Sequence, residues 1–185
     1  TGRIAYNKNT IVKLSDALKK DTEEALKEDV EINSLLFEGD PTNAIYAVRS
    51  LGIDPSTGNE LFLDKNGNIT GTWKASDKVF LGTYDPKFRG NISSLFQWKG
   101  LSLNLAFGFH FGGYQYNTTL LNKVEIHKSM IAAGNVDKRV YSERWQKPGD
   151  VKFFKKIDEK STKATSRFVM RDNVLELQNI TLQYA

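Results

Sequence analysis

The sequence predicts an all-β chain: an antiparallel meander whose strands are long enough to cross a bilayer, with long loops and one or two short helices. Three observations carry this. From Leu101 to Phe111 every odd position is Leu or Phe and every even position is small or polar, the period of a strand whose side chains alternate faces. Leu101, Leu103, Leu105, Phe107, Phe109 and Phe111 then form one apolar face, expected to meet lipid. Just upstream, Ile92, Ser94, Phe96 and Trp98 alternate with Asn91, Ser93, Leu95 and Gln97, and Lys99-Gly100 is short enough to join the two runs as a hairpin. Runs of about nine to eleven residues match a tilted strand crossing a membrane. Finally, Lys99 is the one full charge between Gly90 and Asn122 in a chain that is 26% charged, so something other than water faces this stretch.

The remaining elements follow in order. Arg3 to Leu14 reads as a polar strand. From Ser15 to about Val30, Leu14, Leu18, Ala25 and Leu26 give a thin helical stripe with Ser15 as a cap; an exposed loop with a helical turn competes with it. Gly39-Asp40-Pro41 breaks the chain, Ala44 to Ile53 reads as a strand, and Asp54 to Gly58 is a turn by composition. Asn66-Gly67, flanked by Leu61–Asp64 and Ile69–Trp73, signals a hairpin with a type I′ turn. Val79 to Gly82 is a short strand before Asp85-Pro86. Val136 to Trp145 reads as a short helix capped by Asn135, with Val136, Val140, Tyr141 and Trp145 on one face and Pro148-Gly149 ending it. Residues 152–167 read as a long solvated loop. Val174 to Tyr184 is strand-like, and its apolar phase slips near Gln178-Asn179, which implies a bulge.

Composition excludes several function classes. With 185 residues the chain has length for one domain and an ample core. Its apolar runs are short, among them Leu35-Leu36-Phe37, and far below the ~20 residues of a transmembrane helix. Zero Cys removes disulfides, thiolate metal sites and a Cys nucleophile. The net charge of +4 is uneven: residues 16–31 hold seven acids and three lysines, and residues 152–171 hold five Lys and two Arg against Asp158 and Glu159. Both runs read as solvated faces. The basic run lacks the stacking series of a single-strand binder, so no nucleic-acid partner is expected.

No catalytic motif appears. His110 and His127 lack companions at ligand spacing, so no metal is expected. Asp64-Lys65-Asn66-Gly67-Asn68 resembles the start of a calcium loop, but Gly falls fourth and Ala75 twelfth, where that loop needs Gly at six and Glu at twelve. The best ligand or partner contacts are Tyr114, Gln115, Tyr116 and Asn117, whose flat rings and amides suit sugar or peptide recognition. They are expected in a loop just past Phe111, where an interfacial aromatic cluster is the competing reading; Trp145 is a weaker candidate.

Several segments resemble the SusC/RagA family of TonB-dependent outer-membrane receptors of Bacteroidetes. They are Gly52-Ile53-Asp54-Pro55-Ser56-Thr57-Gly58, Leu61-Phe62 with Asp64 to Asn68, Tyr84-Asp85-Pro86-Lys87-Phe88, and the hairpin Trp98 to Leu103. Gly112 to Asn117, Glu143-Arg144-Trp145-Gln146-Lys147-Pro148-Gly149-Asp150, Ser166-Arg167-Phe168-Val169 and Leu175 to Tyr184 complete the series. The likeness runs in order from about Ile4 to the last residue. It implies a C-terminal segment, residues 1–185, of a large transmembrane β-barrel whose plug and most strands lie outside it. It also implies import of glycans or peptides with a SusD-like surface lipoprotein, contact with outer-membrane lipid, TonB coupling through a missing N-terminal region, and no cofactor or enzymatic step. The rival reading is a soluble secreted or surface β-sandwich that binds carbohydrate.

Overall fold

The computed structural model describes residues 1–27 and 35–185, in two four-stranded antiparallel sheets. The first, the wall sheet, contains β1 (Gly2–Tyr6), β6 (Phe88–Trp98), β7 (Leu101–Tyr116) and β8 (Val169–Tyr184), in the order β1-β6-β7-β8. The second contains β2 (Ala44–Ile53), β3 (Glu60–Leu63), β4 (Ile69–Thr70) and β5 (Lys78–Thr83), in the order β4-β3-β2-β5. Neither sheet closes on itself, so the all-β antiparallel expectation holds while the described residues form a length of wall rather than a barrel.

The wall sheet is a meander with unequal connections. β6 and β7 join through Lys99 (φ 44°) and Gly100 (φ 82°). Two consecutive positive φ values make this the type I′ turn, whose twist matches its strands. The links β1 to β6 (residues 7–87) and β7 to β8 (residues 117–168) are long, and both leave from the opposite end of the sheet. The turn at Asn66-Gly67 has a different form. Gly67 alone has positive φ (83°), its N–H donates to the Asp64 carbonyl, and Asp64 N–H donates to Asn68 O. This is a type I turn closed by a glycine bulge. Asp64 decides it: its carboxylate accepts from the N–H groups of Asn66 and Asn68, 2.8 Å each, and from Asn68 Nδ2 at 3.1 Å.

The bulge expected near Gln178-Asn179 is present: Ala106 pairs with Asn179 and Phe107 with Leu177, leaving Gln178 unpaired. A second register shift sets Phe111 and Gly112 against Asn173. Beyond it β7 continues to Tyr116, so Gly112–Tyr116 is strand and not the expected loop. The first strand is shorter than expected, ending at Tyr6, because the backbone beyond it bonds to the Gly39-Asp40 turn (Ile11 N to Asp40 O, 2.9 Å). Helix α1 (Asp16–Ala25) starts at Ser15, whose Oγ accepts from Leu18 N; its expected extension to Val30 falls outside the described residues. Helices α2 (Thr118–Lys123), α3 (Lys128–Ala133) and α4 (Arg139–Ser142) follow β7, more than the one or two expected. The helix expected over Val136–Trp145 shrinks to α4, and just before it the Asp137 carboxylate, not Asn135, accepts from Arg139 N.

The core lies beyond the wall, where the two long links pack together. Val124, Ile126, Val140, Phe154 and Phe168 surround Tyr116, while Leu35, Ala44 and Tyr46 form a second cluster. Residues 152–167 form a loop, as expected, but one anchored in the core rather than solvated throughout, with residues 157–161 exposed. Phe154 and Thr165 are buried, bridging to Arg144 and Val48 respectively. A local polar composition conceals this because its apolar anchors are single residues.

Candidate functional site

The wall sheet presents two chemically opposite faces. Register pairs Phe107 with Ile92 and Leu177, Leu105 with Ser94 and Ile180, and Leu103 with Phe96 and Leu182. One face is thus apolar across β6, β7 and β8. Among the described residues nothing covers it: Phe96, Leu175, Ile180 and Leu182 are 57%, 66%, 63% and 65% exposed. A sandwich buries this face under a second sheet. Here the second sheet meets the wall at its far end, where the Tyr114 ring lies against Gly82 and occupies the space of any side chain there. The carbohydrate-binding sandwich is therefore not the architecture of the described residues.

Aromatic side chains mark both ends of the apolar face. At the tight turn, Trp98 is 70% exposed with Lys99 Nζ 5.1 Å from its ring, and Tyr184 lies one strand further along the same row, on the other side of Leu101. At the other end Tyr6 packs on Phe88 (ring centroids 5.2 Å apart) and Phe109 stacks on Phe111 (5.4 Å). The reverse face carries Arg3, Arg89, Asn91, His110, Asp172, Glu176 and Gln178 around an open depression of ≈ 1170 Å³. His110 Nε2 lies 3.2 Å from Asp172 Oδ2.

The expected contact residues separate in the structure. Tyr116 is 4% exposed and packs edge-on to Phe168, a core residue and not a surface contact. Asn117 caps α2, its Oδ1 accepting from Leu120 N at 2.9 Å. Trp145 donates from Nε1 to Pro55 O at 2.9 Å, and its ring fills the space over Gly58, so it clamps the turn after β2. Tyr114 is half-buried and Gln115 exposed at the rim.

A buried ion cluster joins the two long links. Arg167 donates from Nε and Nη2 to the two carboxylate oxygens of Glu60 (2.9 and 2.8 Å), from Nη2 to Glu125 Oε1 at 2.6 Å and from Nη1 to Glu125 Oε2 at 3.2 Å. The three side chains are 5%, 4% and 0% exposed. Burial disfavours the guanidinium charge, but the hydrogen bonds with Glu60 and Glu125 outweigh it and hold its pKa above the ordinary value. Arg144, 1% exposed, donates to the carbonyls of Val124, Ile126, Lys155 and Lys156. The two arginines thus balance the two carboxylates. Nothing in the local sequence marks this cluster, since Glu60 lies 107 residues from Arg167; both arginines fall within segments that carry the family resemblance.

No group of three or more His, Asp or Glu able to hold a metal occurs among the described residues. At the Asp64 turn, hydrogen bonds from Asn68 and then Asn66 keep the carboxyl below the usual carboxylate range, so its oxygens are occupied by N–H donors. Calorimetry with calcium is expected to show no saturable heat at this turn. Replacing Gly67 by Val is expected to destabilise the hairpin by about 1–2 kcal/mol, because a β-branched residue resists positive φ. Wild-type hydrogen exchange across Leu63–Ile69 in that variant would refute the assignment.

Three solved structures share this fold. The structure of the RagAB peptide transporter matches with a TM-score of 0.66 and 24% identity over 80% of this chain and 17% of that chain. The RagAB peptide importer in its open-open state matches with a TM-score of 0.62 and 20% identity over 80% and 16%. Its closed-closed state gives 0.62 and 22% over 80% and 17%. The described wall and loops thus have the fold of one segment of a much longer chain. No family model matches the sequence, and no curated protein does.

Proposed function

We propose that this chain is the C-terminal barrel portion of a SusC/RagA-type importer of the outer membrane, taking up glycans or peptides with a SusD-like surface lipoprotein and driven through TonB by parts outside residues 1–185. The observation that carries the proposal is the uncovered apolar face backed by a polar one. In water such a face is a liability; in a barrel wall it meets lipid while the reverse face lines the lumen. The dimensions support this. The eleven residues of β6 rise about 33 Å, and a tilt of about 40–45° reduces this to about 25 Å, the height of the apolar band. The aromatic groups fall at its two edges, as an interfacial girdle requires. The tight turn at one end and the long packed links at the other match the short inner turns and long outer loops of such barrels. In this reading Tyr114 and Gln115 contact ligand or lipoprotein from the outer rim, while Tyr116, Asn117 and Trp145 hold the loops in shape.

Residues 1–185 hold no Cys, so with any cysteine elsewhere in the full-length receptor replaced, single cysteines introduced here give a clean test. In intact outer membranes a cysteine at Leu105 is expected to react with a lipid-soluble maleimide and resist a water-soluble one, whereas a cysteine at Asn104 reacts with the latter. Alanine at Tyr114 and Gln115 is expected to lower uptake of labelled peptide or glycan, or retention of the lipoprotein, in barrels that still assemble. Equal reactivity of positions 104 and 105 toward the water-soluble reagent would remove the wall assignment.

A further inference from the structure

The two long links are bonded to each other at separate places along their length. Residues 164–166 of the second link meet the first at two elements: Val48 N donates to Ala164 O at 3.4 Å, Ser50 N to Ser166 Oγ at 2.9 Å, and Trp73 Nε1 to Ala164 O at 3.0 Å. The turn after β2 meets residues 145–156. There Trp145 Nε1 and Gly149 N both donate to Pro55 O, at 2.9 and 2.8 Å, and Lys156 N donates to Gly58 O at 3.0 Å. The third joint is the fork of Arg167 on Glu60, with both side chains nearly fully buried.

Loops that gate a site come from the weakly held parts of a fold, where few contacts cross and backbone bonds meet water. These links are the opposite case. Parting them would leave the Glu60 carboxylate without its guanidinium in a buried surround, a cost that does not fall gradually with small displacements. The joint is also fixed to the wall. Arg167 stands two residues before β8, and Phe168 beside it packs on Tyr116, the last residue of β7. The open-open and closed-closed states of the RagAB importer match this chain to the same TM-score, 0.62, so the fold is common to both states.

Resting on the proposed import function, we infer that the buried cluster of Glu60, Glu125, Arg144 and Arg167 is a brace that keeps the two long links one rigid body throughout import. Arg167 ties the first link to the second through Glu60, Glu125 holds the same guanidinium from within the second link, and Arg144 pins the carbonyls of Val124, Ile126, Lys155 and Lys156 around it. The links then form a fixed outer platform rather than two independent gates. Whatever movement admits a substrate belongs to other parts of the receptor.

The test uses the full-length receptor with any other cysteine replaced. Spin labels on cysteines at Ile69 and Tyr141, 67% and 80% exposed, report the distance between the links by pulsed electron resonance. The receptor is measured in detergent micelles alone, with its lipoprotein, and with a tryptic casein digest or a dextrin added. One narrow distance is expected, its mean constant within about 2 Å, the scale of a backbone that does not rearrange. A second distance or a larger shift in any of these conditions would overturn the brace. Arg167→Ala, in barrels shown by heat-modifiable mobility to have assembled, is expected to add a longer distance; a single unchanged distance there would mean that the cluster does not hold the links. A second measurement leaves the cluster intact. The bond from Ser50 N to Ser166 Oγ puts these two residues within reach of a disulfide, so Ser50→Cys with Ser166→Cys should close on oxidation in intact cells. Import of the fluorescent digest or dextrin should then match that of the reduced receptor. Failure of the pair to close, or import lost on oxidation and restored by reductant, would show that the links part and would overturn the inference while leaving the importer reading intact. A receptor absent from the outer-membrane fraction, or importing neither probe, would instead overturn the importer reading, and the part of the brace in import with it.

Discussion

Replacing Arg167 with Ala is expected to destabilise the two packed long links by about 3–5 kcal/mol. The magnitude comes from what stays behind. Glu60 and Glu125, 4% and 0% exposed, would keep two carboxylates in an apolar surround with Arg144 as the remaining buried cation. Glu125 would keep the hydroxyl of Thr162 at 3.2 Å, which is no substitute for a forked guanidinium. Arg167 also stacks over Phe168, 4.8 Å from its ring centroid, and donates to Phe153 O at 2.6 Å, so packing is lost with the charge. Lys at this position keeps the charge but loses the bidentate geometry, and should fall between Ala and the native residue. The measurement is limited proteolysis of the full-length receptor in membranes, read at residues 117–168. Protection of that segment at the wild-type level in Arg167→Ala would mean that the cluster does not hold the links together.

On the proposed barrel reading, substituting Arg for Phe107 is expected to impair assembly by about 2–4 kcal/mol, the cost of a cation on what would be a lipid face near the bilayer midplane. Phe107 lies between Ile92 and Leu177 in the register and well inside the aromatic edges, so its side chain cannot easily reach the headgroups. Arg at Asn104, on the reverse face, should cost far less. Comparing folded fractions of the two variants by heat-modifiable mobility across a urea series decides the matter. A harmless Arg at 107 beside a ruinous one at 104 would invert the assignment of faces.

Both effects illustrate where sequence reading succeeds and fails. The β6–β7 hairpin, the bulge at Gln178, the bounds of β2 and the Ser15 cap are all legible from the chain. Each is a local matter: alternation, a phase slip, a cap residue at the right offset. The location of the Asn66-Gly67 turn is legible for the same reason, but its type is not. The Asp64 carboxylate competes for the turn's N–H groups and favours the glycine bulge, while Lys99-Gly100, less marked in sequence, adopts the type I′ form. Gly112 to Tyr116 looks like the exit from a strand because glycines interrupt the pattern. The structure keeps it in β7, because a bulge absorbs Gly112 and Tyr116 gains burial against Phe168.

By itself the sequence determined the middle of the wall: that β6 and β7 are long strands joined as a hairpin, and which face of β7 is apolar. These depend on period two and on strand rise, which are properties of consecutive residues. Only the tertiary structure decided what the long links do. It anchored an apparently solvated basic stretch to the core through Phe154 and Thr165, gave Tyr116, Asn117 and Trp145 structural work, and gathered Glu60, Glu125, Arg144 and Arg167 into one buried cluster. Those contacts join residues as far as 107 positions apart. A composition or a local period carries no information about partners at that distance, because closing such links depends on the whole fold bringing the ends together.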